Sequence, residues 1–105
     1  DGMRTVLTLL ECARLLSRSL LLPHSPAFAD LAKGHRFALI LAGHTHGGQL
    51  RTPVWGAPFL PLGPGRYDKV LFQTPAGPLY VNPGIGTFYA PVRIFCRPEI
   101  TVIEF

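Results

Sequence analysis

Phe37-Ala38-Leu39-Ile40-Leu41-Ala42-Gly43-His44-Thr45-His46-Gly47-Gly48-Gln49 is the stretch on which the reading of this chain turns. Five apolar residues, Phe37 to Leu41, lead without interruption towards a glycine and two histidines one residue apart. An unbroken apolar run of this length predicts a strand covered on both faces, the habit of parallel sheets. The histidine pair then sits where that strand ends.

Upstream, Ser19-Leu20-Leu21-Leu22 is a shorter apolar run stopped by Pro23, and it predicts a second buried parallel strand that delivers His24 at its carboxyl end. Ser25-Pro26 has the form of a helix start, a hydroxyl N-cap followed by proline at the first helical position. Phe28, Leu31 and Ala32 supply the apolar stripe of that helix, and Gly34 its stop. Strand, helix, strand is a βαβ unit, whose right-handed crossover makes the strands parallel and puts both carboxyl ends at one edge of the sheet. His24 is therefore expected beside His44 and His46. His35, in the turn from helix to strand, falls at the opposite edge and is expected to be exposed and uninvolved.

Further out the patterns change. Val6, Leu9, Leu10, Ala13 and Leu16 recur at helical spacing from Thr5 to Leu16, predicting an amphipathic helix laid on a sheet face. Beyond Gly47, prolines 53, 58, 61 and 64 with glycines 56, 63 and 65 predict a long irregular flap packed by Trp55, Phe59 and Leu60. Val70 to Phe72 and Leu79 to Val81 flank Thr74-Pro75-Ala76-Gly77 as a hairpin, and Val92 to Phe95 is expected to pair with Ile100 to Ile103. The predicted class is α/β, a βαβ unit followed by an antiparallel strand region.

The 105 residues, 48% apolar, suffice for one small packed domain. The net charge of +4 would suit a polyanion, but the basic residues are scattered singly and no basic stretch is interleaved with aromatics, so nucleic-acid binding is not expected. Cys12 and Cys96 lie far apart without a CxxC pair; they read as buried apolar thiols rather than as a disulfide or zinc framework. No apolar run is long enough for a membrane span, and Asp1-Gly2-Met3-Arg4 does not have the order of a signal peptide.

Three neutral imidazoles at one sheet edge are what a zinc, manganese or iron site needs. Ligands of open α/β sheets bind outside the carboxyl ends of the strands, and parallel neighbours lie ~4.8 Å apart, so His24 and the His44/His46 pair are within reach of one another. Gly43, Gly47 and Gly48 free the backbone for a sharp turn close to a metal or phosphate, and Gln49 is placed to orient a ligand or substrate oxygen.

Leu41-Ala42-Gly43-His44-Thr45-His46-Gly47-Gly48-Gln49 resembles the last metal motif of calcineurin-like metallophosphoesterases, in the bacterial branch that reads Gly-His-Thr-His-Gly-Gly-Gln. Leu22-Pro23-His24-Ser25-Pro26 resembles the upstream histidine of that branch. Tyr80-Val81-Asn82-Pro83-Gly84-Ile85-Gly86 and Arg93-Ile94-Phe95-Cys96-Arg97-Pro98-Glu99-Ile100 resemble its tail, so the likeness runs from about Leu20 to the end.

The resemblance implies that residues 1–105 are the C-terminal portion of a single αββα-sandwich domain whose N-terminal half is absent. It implies two divalent metal ions, Mn, Fe or Zn, with His24 and His44 on one and His46 on the other, hydrolysing phosphomonoesters or phosphodiesters with metal-activated water. Gly47, Gly48, Gln49 and Arg93 are the implied substrate-side residues. The family's Asp-x-His, Gly-Asp and Gly-Asn-His motifs are not in this chain, so the bridging carboxylate and the catalytic histidine are missing, and the chain is expected to be inactive alone. The substrate implied is a phosphate ester, lipid- or nucleotide-linked, and the parent is either cytoplasmic or attached to membrane or envelope. The competing expectation is a non-catalytic domain in which the three histidines hold one metal.

Overall fold

The computed structural model describes residues 18–55, 67 and 70–104. The expected Thr5–Leu16 helix, Cys12, Phe59 and Leu60 lie outside them. Among the described residues the elements are β1 (Leu20–Leu21), α1 (Phe28–Leu31), β2 (Leu39–Ala42), a 3-10 turn (His46–Gly48), β3 (Val70–Thr74) and β4 (Gly77–Val81).

The four strands form one sheet in the order β1-β2-β4-β3. β1 and β2 are parallel, with Leu20 opposite Leu39 and Leu21 opposite Ile40, as the βαβ reading expects. β3 and β4 form the expected antiparallel hairpin across residues 74–77. The distant pairing is between β2 and β4, which run parallel with Ile40 opposite Leu79 and Ala42 opposite Val81. The carboxyl half is thus joined to the βαβ unit within one mixed sheet.

The core lies on one face. Along β4, Gly77, Leu79 and Val81 are buried and alternate with half-buried Pro78 and Tyr80. Ile40, Leu79 and Val81 are fully buried among Ala29, Ala32, Phe37 and Ala76. Burying these side chains contributes roughly 1.5–3 kcal/mol for each larger aliphatic one, and that face holds the sheet together.

Five expectations need correction. Among the described residues β1 stands at the edge of the sheet, paired with β2, and Leu20 is 43% and Leu22 70% exposed. β2 is not covered on both faces: Ile40 and Ala42 are buried, Leu39 and Leu41 only half-buried. The helix begins two residues late, with Ala27 at its N-cap. The Ser25 hydroxyl accepts from the Ala27 N–H in a turn at 3.4 Å and caps no helix. Trp55, expected to pack the flap, is 85% exposed.

Finally, Val92 to Phe95 and Ile100 to Ile103 form no hairpin; Ile94 instead bridges Leu50, and Thr101 bonds to Tyr80 and Asn82. Side-chain bonding to the edge of the site replaces the strand ladder there.

Candidate metal centre

Three parallel strands end at the same edge, and the residues that follow each wall one cavity of about 490 Å³. Leu22, Pro23 and His24 follow β1; Gly43, His44 and His46 follow β2; Asn82, Pro83 and Gly84 follow β4. Backbone bonds carry the pairing past the strand ends. The Gly43 N–H donates to the His24 carbonyl at 3.3 Å, and the Asn82 N–H to that of Ala42 at 2.9 Å. The two histidine loops are held together by main chain before any side chain contributes.

The His24 and His44 rings meet, their centroids 4.3 Å apart. His46 stands on the same cavity wall, its ring parallel to that of Phe88 at 6.2 Å. The turn carrying these rings is tightly wound: His44, His46 and Gln49 have φ of 68°, 49° and 54°, all left-handed. Such conformations cost non-glycine residues of order 1–3 kcal/mol each and persist only where the surroundings impose them. Here the short bonds Thr45 N to Gly43 O (2.8 Å) and Gly48 N to Thr45 O (2.7 Å) impose them.

The electrostatics favour the neutral imidazole at His44. The His44 pKa is lowered, first by burial and then by the neighbouring charges of His24 and His46. The Nδ1 atom of His46 is buried with no hydrogen-bond partner. A buried nitrogen without a partner costs free energy that a bound ligand recovers, which marks His46 as a donor in search of one. Among the described residues no carboxylate lines the cavity. Among the described residues no group of three His, Cys, Asp or Glu side chains is arranged to hold a metal ion.

The expected substrate-side residues are differently placed. Gln49 is buried, its Nε2 donating to the carbonyls of Phe88 (3.0 Å) and Ala90 (2.8 Å) and its Oε1 accepting from the Phe88 N–H (2.6 Å). The Arg93 guanidinium donates to the carbonyls of Pro83 (2.7 Å), Gly86 and Cys96 (3.3 Å). Gly47 and Gly48 are buried, and the Gly47 carbonyl accepts from Arg51 at 2.9 Å. None of these four lines the cavity.

Cys96 is buried as expected, its thiol donating to the His46 carbonyl at 3.3 Å. His35 is half-buried rather than exposed and bonds back to Ala32, at the far end of β2 from the cavity.

Tyr80, Asn82 and Thr101 form a polar wall that sequence reasoning missed. Asn82 donates to the Thr101 hydroxyl at 3.0 Å, which donates to Glu99 at 2.7 Å, and the Tyr80 hydroxyl bonds to both Thr101 and Glu99. Burial, and then the bond to Glu99, raise the Tyr80 pKa, while the Thr101 bond opposes. Placing Leu79–Val81 beside β2 would have brought Asn82 to this edge, but parallel pairing at that distance in sequence leaves no local signal.

No protein-family profile and no solved structure matches the chain. It is 40% identical over 85 residues to phosphodiesterase YaeI of Escherichia coli, a match covering 81% of this chain and 31% of YaeI. It is 39% identical over 84 residues to the uncharacterized metallophosphoesterase YkuE of Bacillus subtilis, covering 80% of this chain and 29% of YkuE. A transmembrane protein with a metallophosphoesterase domain from Danio rerio is 42% identical over 88 residues, 80% of this chain and 19% of that protein. The chain thus spans about a third of the length of its bacterial relatives.

Proposed function

Because this chain belongs to the metallophosphoesterase family, we propose that it is the C-terminal portion of a metal-dependent phosphoesterase domain and supplies three of its ligands, His24, His44 and His46. The observation that carries this is the carboxyl edge of β1 and β2, where His24 and His44 touch while His46 presents a buried nitrogen without a partner. Imidazoles are apt donors for Zn, Mn or Fe, so the residues fit the group.

The family resemblance divides the ligands as His24 and His44 on one metal and His46 on the other, and the contact of the His24 and His44 rings supports that pair. One metal on all three histidines is the alternative arrangement. Two divalent ions would supply Lewis acidity to a phosphate ester and a more acidic water. The residues of this chain hold and orient. The main-chain bond from Gly43 to the His24 carbonyl sets the spacing of the first pair, and the left-handed turn at His46 fixes the third ring. Lowering of the His44 pKa keeps that imidazole free to ligate at neutral pH.

With no carboxylate among the described residues of the cavity wall, two cations close together would be poorly neutralised. The bridging acid and the proton-transferring histidine are therefore assigned to the rest of the domain. The substrate is a phosphate ester, lipid- or nucleotide-linked, and the parent acts in the cytoplasm or at a membrane or envelope surface.

Calorimetric titration of the purified chain with Mn2+ and Zn2+ tests the ligand set. Binding is expected to be lost in His44→Ala and in His24→Ala, and hydrolysis of bis(4-nitrophenyl) phosphate is expected to be negligible with either metal. Manganese-dependent turnover by these 105 residues would overturn the division of the site.

A further inference from the structure

We infer that Gln49 is a positioning residue for His46, acting through the ring of Phe88 rather than through a substrate. This rests on the metal reading of His46 but is carried by contacts made without any metal. The Gln49 side chain is only 7% exposed, and both N–H groups and the oxygen of its amide are committed to one short segment. Two carbonyls, Phe88 and Ala90, and one N–H, that of Phe88, take all three bonds. With both N–H groups taken and the oxygen accepting from main chain, the buried amide is turned towards the 88–90 segment rather than towards a ligand, and changing it strands the partners it satisfies.

What the amide holds is the wall behind His46. The 84–96 segment has no regular secondary structure, so nothing intrinsic places Phe88. With the Gln49 staple, the Phe88 ring lies 19° from parallel to the His46 ring at 6.2 Å. The same segment is tied at its far end, where the Ile94 N–H donates to the Gln49 carbonyl at 2.9 Å and the Cys96 thiol donates to that of His46 at 3.3 Å. Main chain and side chain of Gln49 thus anchor one loop at two points, at the ring it supports and again at Ile94 beyond it. The turn at His46, with φ of 49°, sets where the ring starts, and with no bond on its Nδ1 to orient it, packing against Phe88 is a further restraint on its imidazole. Restraint of this kind is what ligand-orienting partners supply at metal sites, where their loss typically reduces affinity roughly 10–100-fold.

The test uses the metal-free chain labelled with 15N, with Gln49→Leu, Gln49→Glu and Phe88→Leu compared with the wild type. The Phe88 variant keeps every Gln49 bond, because all of them go to main chain, and so separates positioning from stapling. The His46 ring resonances are expected to shift and broaden in all three variants, while those of His35, at the opposite edge of the sheet, stay in place. A second readout is Co2+ affinity, expected to fall by roughly 10–100-fold in each variant. His46 resonances unchanged in Phe88→Leu would overturn the proposal, even if Gln49→Leu disturbs them or unfolds. A wild-type chain that takes up no Co2+ would instead overturn the metal reading, and the ring resonances would still decide the role of Gln49.

Discussion

Gly77 and Gly34 both have left-handed backbones, at φ of 126° and 99°, yet they differ in what a side chain would meet. A Cβ on Gly77 would lie 2.4 Å from the carbonyl oxygen of Phe37, whereas one on Gly34 would meet nothing within 4 Å. Gly77→Ala is therefore expected to cost both strain and displacement of β2's approach, about 2–4 kcal/mol, and Gly34→Ala about 1 kcal/mol. Urea unfolding of the two variants measures the difference, and equal losses would contradict it. His44 carries a pH dependence at the same scale. Its folded pKa lies below the ordinary imidazole value of about 6.5, so the unfolded chain binds the proton more readily. The stability it contributes is complete above about pH 6.5 and is lost as the pH falls through the folded value. The urea midpoint of the metal-free chain should drop on acidification below that pH, and less so in His44→Asn, a residue that tolerates the left-handed backbone.

β4 is the element on which the sheet depends. It pairs with β2 on one side and β3 on the other, and Leu79, fully buried, faces Ile40 across the parallel pair. Leu79→Ala is expected to cost 2–5 kcal/mol on the scale of large-to-small core changes, and it should loosen Asn82 and the cavity wall with it. The hairpin before it is locked by one hydroxyl: Thr74 Oγ1 donates to the Gly77 carbonyl at 2.7 Å and accepts from the Ala76 N–H at 3.2 Å. Thr74→Val should cost about 1 kcal/mol, visible in amide exchange at Ala76 before global unfolding. That hairpin was legible in the sequence, because its turn residues and flanking apolar runs are local. The supposed second hairpin was not there, since Val92 to Phe95 found partners in the histidine turn that no nearby residue announced.

At the scale of the whole molecule, one face of the sheet is packed and much apolar surface remains outside it. Leu22 is 70%, Trp55 85%, Ile100 83% and Val102 83% exposed. Apolar side chains exposed to this extent are accessible to a hydrophobic probe. Binding of 1-anilinonaphthalene-8-sulfonate in native buffer should raise its fluorescence well above that given by an ordinary folded domain of this size, and a silent titration would show those side chains to be shielded.

From the sequence alone came the two parallel strands, the crossover between them and the edge at which His24, His44 and His46 stand. Those follow from apolar runs, a helix stop and the handedness of a βαβ connection, all readable from neighbours along the chain. Only the tertiary structure placed β4 beside β2 and so brought Asn82 to the same edge. It also turned Gln49 and Arg93 inward onto main-chain carbonyls, and it set the His24 and His44 rings against each other. A polar side chain beside a metal motif is open to ligand or backbone until the distant segment that competes for its hydrogen bonds is in place, and here residues 83–96 took them.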